Sequence, residues 1–345
     1  MQQLRIALDW TPNTNHTGIY VAIAKSWYKE EGLDVVCISP DEPSTQGSEA
    51  PSEPSQAKLT PARKVAAGEA DFAVTPSESA ISFHTTEPSK PRLVAVAALL
   101  QKSTSAIVTM KASGISRPRD LDGKAYASYE GRFEMGIVKQ MVRNDGGRGD
   151  VEEKLLNFHG YQDQETMKAS SVVESMLRAS KADATWIFTH WEGVLAERLG
   201  SELTYFKLED YAVPYGYSPV LLCRGDKLKD AAFAASVKSF LKATARGYAF
   251  AETNRQEAAK LLCETARHAS LADTAFVAAS QDAITGSYLT ADGGWGRMEE
   301  ERWQELLQFL AEHEIVTDRA GEAIPAAQLP PAADLFTNEM LPCLV

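Results

Sequence analysis

Apolar and polar positions alternate from the start of the chain: Leu4, Ile6, Leu8 and Trp10 are separated by Arg5, Ala7 and Asp9. A period of two predicts a strand with Trp10 at its carboxyl end. Pro12 stops it, and Asn13, Thr14, Asn15 and Thr17 offer turn and N-cap oxygens. Ile19, Tyr20, Ile23, Trp27 and Tyr28 then space a helix running to Gly32, before a second strand over 33–38. Residues 62–74 follow a distinctive order: a helix ended by Gly68, a small linker, Ala70-Asp71, then a short strand. The same order recurs at 172–187, with Ala182-Asp183 in the matching place. Two copies this far apart predict two similar α/β lobes rather than a tandem array. Apolar runs at 93–100 and 106–110 flank 101–105, where the chain is expected to cross between lobes. Residues 125–129 read as a strand leading through Glu130-Gly131-Arg132-Phe133-Glu134 into a helix, and 186–199 as strand, turn and helix. The stripes Phe233, Val237, Phe240, Leu241, Thr244, Tyr248 and Trp303, Leu306, Leu307, Leu310 mark core helices, and Trp295 packs in a turn. The expected lobes are residues 1–104 with 212–345, and residues 105–211.

Composition narrows this in three ways. At 345 residues the chain exceeds what one core usually serves, which agrees with two lobes. A balance of 35 Lys+Arg against 47 Asp+Glu, with no basic cluster, argues against nucleic acid or an anionic membrane as partner. Residues 40–61 interleave Pro43, Pro51 and Pro54 with serines and glutamates, too polar to offset their ordering entropy, so a mobile inserted loop is expected. Cys37, Cys223, Cys263 and Cys343 lie far apart without a C-x-x-C, indicating neither zinc site nor disulfide framework. No apolar run approaches the roughly 20 residues that span a bilayer. The first strand starts close behind Met1, which favours a cytosolic protein over a trimmed secreted one.

Ligands of open α/β sheets sit beyond strand carboxyl ends, near helix N-termini. The face of Trp10, the amides of Asn13 and Asn15 and the imidazole of His16 suit a flat, nitrogen-rich ring there. Equally, Trp10 can be a core aromatic and His16 a capped surface side chain. The turn at Gly131 is built like an anion cradle, yet matches neither G-x-G-x-x-G nor a Walker loop. In Trp191-Glu192-Gly193, a carboxylate can accept from an exocyclic amine and share a proton with a ring nitrogen. It can also simply answer the helix dipole.

The spacing of Trp10, Pro12 and His16 resembles the opening of the family that handles thiamine pyrimidine precursors on a type II periplasmic-binding-protein fold. That family includes bacterial formylaminopyrimidine-binding proteins and the fungal hydroxymethylpyrimidine phosphate synthase. The resemblance runs from residue 4 to the closing segment 335–342. It implies a ligand cleft between the lobes, an aminopyrimidine edge read by Glu192 beside Trp191, and a phosphate held at Gly131 and Phe133, with Arg132 supplying charge. Tyr215 joins the ligand-facing candidates. Two departures stand against the synthase. Thr75 and Ser79 occupy the places of the lysine that carries pyridoxal phosphate and the histidine consumed as substrate, and neither can form a Schiff base. Tyr215, Gly216, Tyr217, Ser218 and Pro219 replace its cysteine-rich iron motif. His84, nearby, reads as a helix-surface residue. The expectation is therefore reversible binding of a small aminopyrimidine, with no metal or cofactor assigned. The alternative is a divergent synthase. A sensor or interaction protein using the Pro/Ser/Glu loop has no motif behind it.

Overall fold

An aspartate following an alanine stitches each of two sheets. The computed structural model describes residues 1–40, 60–87, 89–156, 172–318 and 320–342, so residues 41–59 of the expected mobile loop lie outside the described residues. The strands are β1 (Gln2–Ala7), β2 (Leu33–Ile38), β3 (Phe72–Thr75), β4 (Leu93–Ala98), β5 (Ser105–Met110), β6 (Lys124–Ser128), β7 (Val151–Leu155), β8 (Ala184–Phe188), β9 (Leu203–Lys207) and β10 (Val220–Arg224). They form two five-stranded sheets, β2-β1-β3-β10-β4 and β7-β6-β8-β5-β9. In the first, β1 runs parallel to β2 and β3 while β10 opposes both neighbours. In the second, β6 runs parallel to β7 and β8 while β5 opposes both of its own. The repeated Ala-Asp has one role in both. Asp71 accepts the Arg5 N–H at 2.9 Å and donates its own N–H to the Arg5 carbonyl at 2.9 Å. Asp183 does the same to Ala125, at 2.9 and 2.7 Å. The chain leaves the first sheet after β4 and returns to it at β10, so each sheet's reversed strand follows a crossing.

Around the sheets lie α1 (Thr17–Ala24), α2 (Trp27–Glu30), α3 (Pro61–Ala67), α4 (Glu78–Thr86), α5 (Glu134–Asn144), α6 (Val194–Arg198), α7 (Ala231–Thr253), α8 (Arg255–Ala266), α9 (Thr274–Ile284) and α10 (Glu300–Glu312). The helix expected to run unbroken to Gly32 is two, because Ser26 adopts a left-handed backbone with φ 60° between them. The first strand is also shorter than its alternation suggests: β1 ends at Ala7, which puts Trp10 in the turn beyond it. His84 bonds the Leu93 carbonyl at 2.9 Å and is half-buried rather than free on the helix surface. None of the described helices is long and apolar enough to cross a membrane.

The crossing of α1 and α7 has no room for side chains. A Cβ on Gly247 would stand 1.9 Å from the Gly18 carbonyl oxygen, and one on Gly18 would stand 2.3 Å from the Tyr248 ring. Tyr248 is in turn stacked on Trp295, 4.9 Å between centroids, which keeps Trp295 in the core. Overpacking a filled contact costs about 1–3 kcal/mol, more where backbone is struck. Gly247→Ala is therefore expected to lower unfolding stability by about 3 kcal/mol in urea titrations; an unchanged midpoint would show that the two helices separate freely.

Candidate functional site

The carboxyl ends of the strands open on a cavity of about 660 Å³, a size suited to a small organic ligand. Its wall is contributed by the turn after β1 (Asp9, Trp10, Asn13), by Thr75, Glu78 and Ser79 at the β3–α4 junction, and by residues 129–134 after β6. The β8 end and the turn after it (Trp186, Ile187, Phe188, Trp191, Glu192), with Tyr215 and Ser218 from the second crossing, complete the chamber.

The turn after β1 is held by its own polar groups. Asn13 accepts the Asn15 N–H at 2.9 Å and donates to the Thr11 carbonyl at 3.0 Å, which spends its amide locally even though it borders the cavity. His16 is fully buried and does not border the cavity, which corrects its place among the ligand contacts. Its Nδ1 accepts the Asn13 N–H at 3.3 Å, so Nε2 carries the proton and donates to Asp9 at 3.0 Å. The imidazole is thus a bracket for Asp9. Behind the turn, the Tyr248 and Tyr288 hydroxyls donate to the carbonyls of Asn15 and Thr14 at 2.6 and 2.8 Å. Trp10 faces the cavity, edge to face with Tyr129 at 6.0 Å.

The turn after β6 corrects a second expectation. Glu134, in the first turn of α5, accepts from the Tyr126 hydroxyl at 2.7 Å, the Ser128 hydroxyl at 3.3 Å, and the N–H groups of Tyr129 and Gly131 at 3.2 and 3.0 Å. A carboxylate belonging to the chain fills the cradle in which a phosphate at Gly131 was expected. Phe133 borders the cavity but is 1% exposed, anchored among core residues. Arg132 is also committed: it donates to the Ser82 carbonyl at 3.0 Å, to the Thr85 hydroxyl at 2.8 Å and to the Thr317 carbonyl.

Glu192 lies in a π-helical turn, Thr189–Gly193, that carries β8 into α6, and accepts the Phe188 N–H at 2.9 Å. Burial pushes its carboxyl up to about 7, against those backbone bonds, with the charge of Asp9 adding to the rise. Trp191 borders the cavity with its ring packed 4.5 Å from Phe276. Tyr215 packs on Trp186 at 5.0 Å and neighbours Glu78. Burial, then the neighbouring Glu134, pushes Glu78 up to about 8. Sequence reasoning missed Tyr129, Trp186, Glu78 and Glu134. Tyr129 had a signal, an aromatic just past a strand end as at Trp10; Glu78 and Glu134 read as ordinary carboxylates of a first helical turn.

Neither synthase group finds its residues here. The Thr75 hydroxyl donates to that of Ser79 at 2.6 Å, and among the described residues no lysine borders the cavity, so these residues do not fit a pyridoxal phosphate Schiff base. The segment 215–219 presents no thiolate for an iron motif.

Two α/β lobes joined by two crossings, with a chamber at their strand ends, define a ligand-binding protein of the periplasmic-binding-protein fold. Within that class the chain belongs to the NMT1/THI5-like family, whose model matches residues 13–258. It is 25% identical over 316 residues to the formylaminopyrimidine-binding protein of Halalkalibacterium halodurans, covering 91% of this chain and 86% of that one. It is 23% identical over 265 residues to the 4-amino-5-hydroxymethyl-2-methylpyrimidine phosphate synthase of Legionella pneumophila, covering 76% and 73%. In fold it resembles the periplasmic aliphatic sulphonate binding protein SsuA of Escherichia coli, with a TM-score of 0.61 at 14% identity over 95% and 92% of the chains. The cytosolic expectation is overturned by such neighbours, which point to the periplasm rather than the cytoplasm. A strand close to Met1 carries no weight against them.

The raised carboxyls set a pH response. A folded-state value above the ordinary 4.5 means that the folded chain holds protons the unfolded chain gives up. That contribution is complete below 4.5 and is lost as pH rises through about 7 for Glu192 and about 8 for Glu78. The unliganded wild type is therefore expected to lose roughly 1–3 kcal/mol relative to Glu78→Gln between about pH 5 and about pH 9, read by urea unfolding. Parallel curves for the two proteins would contradict it.

Proposed function

We propose that this chain captures an aminopyrimidine reversibly, by closure of two lobes, residues 1–104 with 212–345 against residues 105–211. The observation that carries the reading is Glu192: a shielded carboxyl on the wall of an aromatic-lined chamber, held by backbone donors. An amine beside a ring nitrogen offers such a group two matched hydrogen bonds. Trp10, Tyr129 and Trp186 supply faces and edges for the ring. The likeness to a formylaminopyrimidine-binding protein supports the same ligand class. Asn13, Trp191 and Tyr215 shape the chamber, and His16 contributes through Asp9.

Calorimetric titration tests this. The wild type is expected to bind 4-aminopyrimidines, and Glu192→Gln to weaken them about tenfold or more, equivalent to about 1.4 kcal/mol, while sparing non-basic heterocycles. Equal loss for both ligand types would make Glu192 a support for its turn, and a wild type silent to every 4-aminopyrimidine would overturn the reading. Trp10→Ala is expected to cost about 1–3 kcal/mol of binding, with a smaller change in fold stability. Undiminished affinity in that variant would remove Trp10 from the ring site.

A further inference from the structure

Helix starts bind anions because their backbone N–H groups are left free. In the turn leading into α5 the donors that an anion could use are already taken, since Tyr129 and Gly131 give their N–H groups, and Tyr126 and Ser128 their hydroxyls, to Glu134. The place that a phosphate would take is already filled by a carboxyl of the chain. The rest of the chamber deepens the bias: among the described residues Asp9, Glu78, Glu130, Glu134 and Glu192 border it, against Arg63 and Arg132. Arg132 is engaged by Ser82, Thr85 and Thr317, and Arg63 stands at 56% exposure with Glu87 at 4.0 Å. Next to Glu134, the Oε2 of Glu78 is shut off from water and has no hydrogen-bond partner. A buried oxygen of that kind is completed by a donor.

We propose that the cleft reads a second feature of its ligand: a protonated amine arm, held at the unpartnered oxygen of Glu78 beside Glu134, with the phosphate ester of the corresponding alcohol shut out. This rests on the chamber being the ligand site proposed above, and it is independent of how Glu192 meets the ring. Burial first, and then the neighbouring Glu134 carboxyl, raise Glu78, and no counter-charge from the described residues offsets them. A cation between them supplies it. Selection here works by repulsion as much as by attraction, because a phosphate meets carboxylates with no free cation at the turn.

Three 4-aminopyrimidines that differ only in the 5-arm (aminomethyl, hydroxymethyl and hydroxymethyl phosphate) test the proposal by calorimetry. The amine is expected to bind about tenfold tighter than the alcohol, and the phosphate ester about tenfold weaker than the alcohol. Glu78→Gln is expected to bring the amine to within about threefold of the alcohol measured on the same variant. A phosphate ester that binds as well as the amine, or a variant that weakens all three arms alike, overturns the proposal; the wild-type ranking decides it even where the variant fails to fold. Benzylamine, benzyl alcohol and benzyl phosphate run beside them separate the two readings. Amine preference among the benzyl compounds with no pyrimidine bound sinks the aminopyrimidine reading and keeps the arm site. Pyrimidine binding without arm preference does the reverse, and a chamber that takes none of the six sinks both.

Discussion

Everything at the cleft depends on where four strands stop, and two aspartates decide that. Asp71 makes a reciprocal pair of hydrogen bonds with β1, and Asp183 makes the same pair with β6. The pairings Ile6 with Phe72 and Tyr126 with Ala184 follow directly. With the register pinned, Ala7 lies opposite Ala73 and Ala127 opposite Thr185, so β3 and β8 each run two residues past the end of the strand they pair with, the same offset in both sheets. A slip would not merely misalign a strand. It would turn its side chains to the opposite face and carry Trp10 or Glu192 away from the chamber.

The three buried glutamates of the chamber form a graded series. Glu134 has four donors and belongs to the fold; removing it would leave a helix start and two hydroxyls unsatisfied. Glu192 has the Phe188 N–H, and Glu78 has an Oε2 with no partner. The fewer donors the chain supplies, the more remain for a ligand to supply. This accounting separates structural from available carboxylates in a way that sequence position, first helical turn in the cases of Glu78 and Glu134, does not.

What the sequence made legible was what is local and periodic. The alternation from Leu4, the doubled Ala-Asp and the strand-turn-helix passages at Trp10, Gly131 and Glu192 each announce themselves within twenty residues, and they sufficed for a two-lobe α/β fold with its ligand at strand ends. What stayed hidden depends on partners distant in sequence or on competition within a turn. His16 looked like a ligand group because its spacing to Trp10 is suggestive, yet Asp9 claims its outer nitrogen. The Gly131 turn looked vacant because a glycine-bearing strand-to-helix passage does not say which carboxylate will fill it. Glu78 and Tyr215 lie over a hundred residues apart and meet only through folding. The break at Ser26 has no signature, serine being an ordinary helix surface residue.

The turn that carries Trp10 is fastened from the rear. Two tyrosine hydroxyls grip its carbonyls, Thr14 meets Ser280 at 2.7 Å, and Thr17 donates to Gln281 at 2.7 Å, all beneath a helix crossing too tight for a methyl group. Such a platform loses little freedom when a ring settles on it, because its ordering was settled during folding. Arrival then requires no local rearrangement of that wall, and differences among ligands are expressed chiefly in how long each one stays.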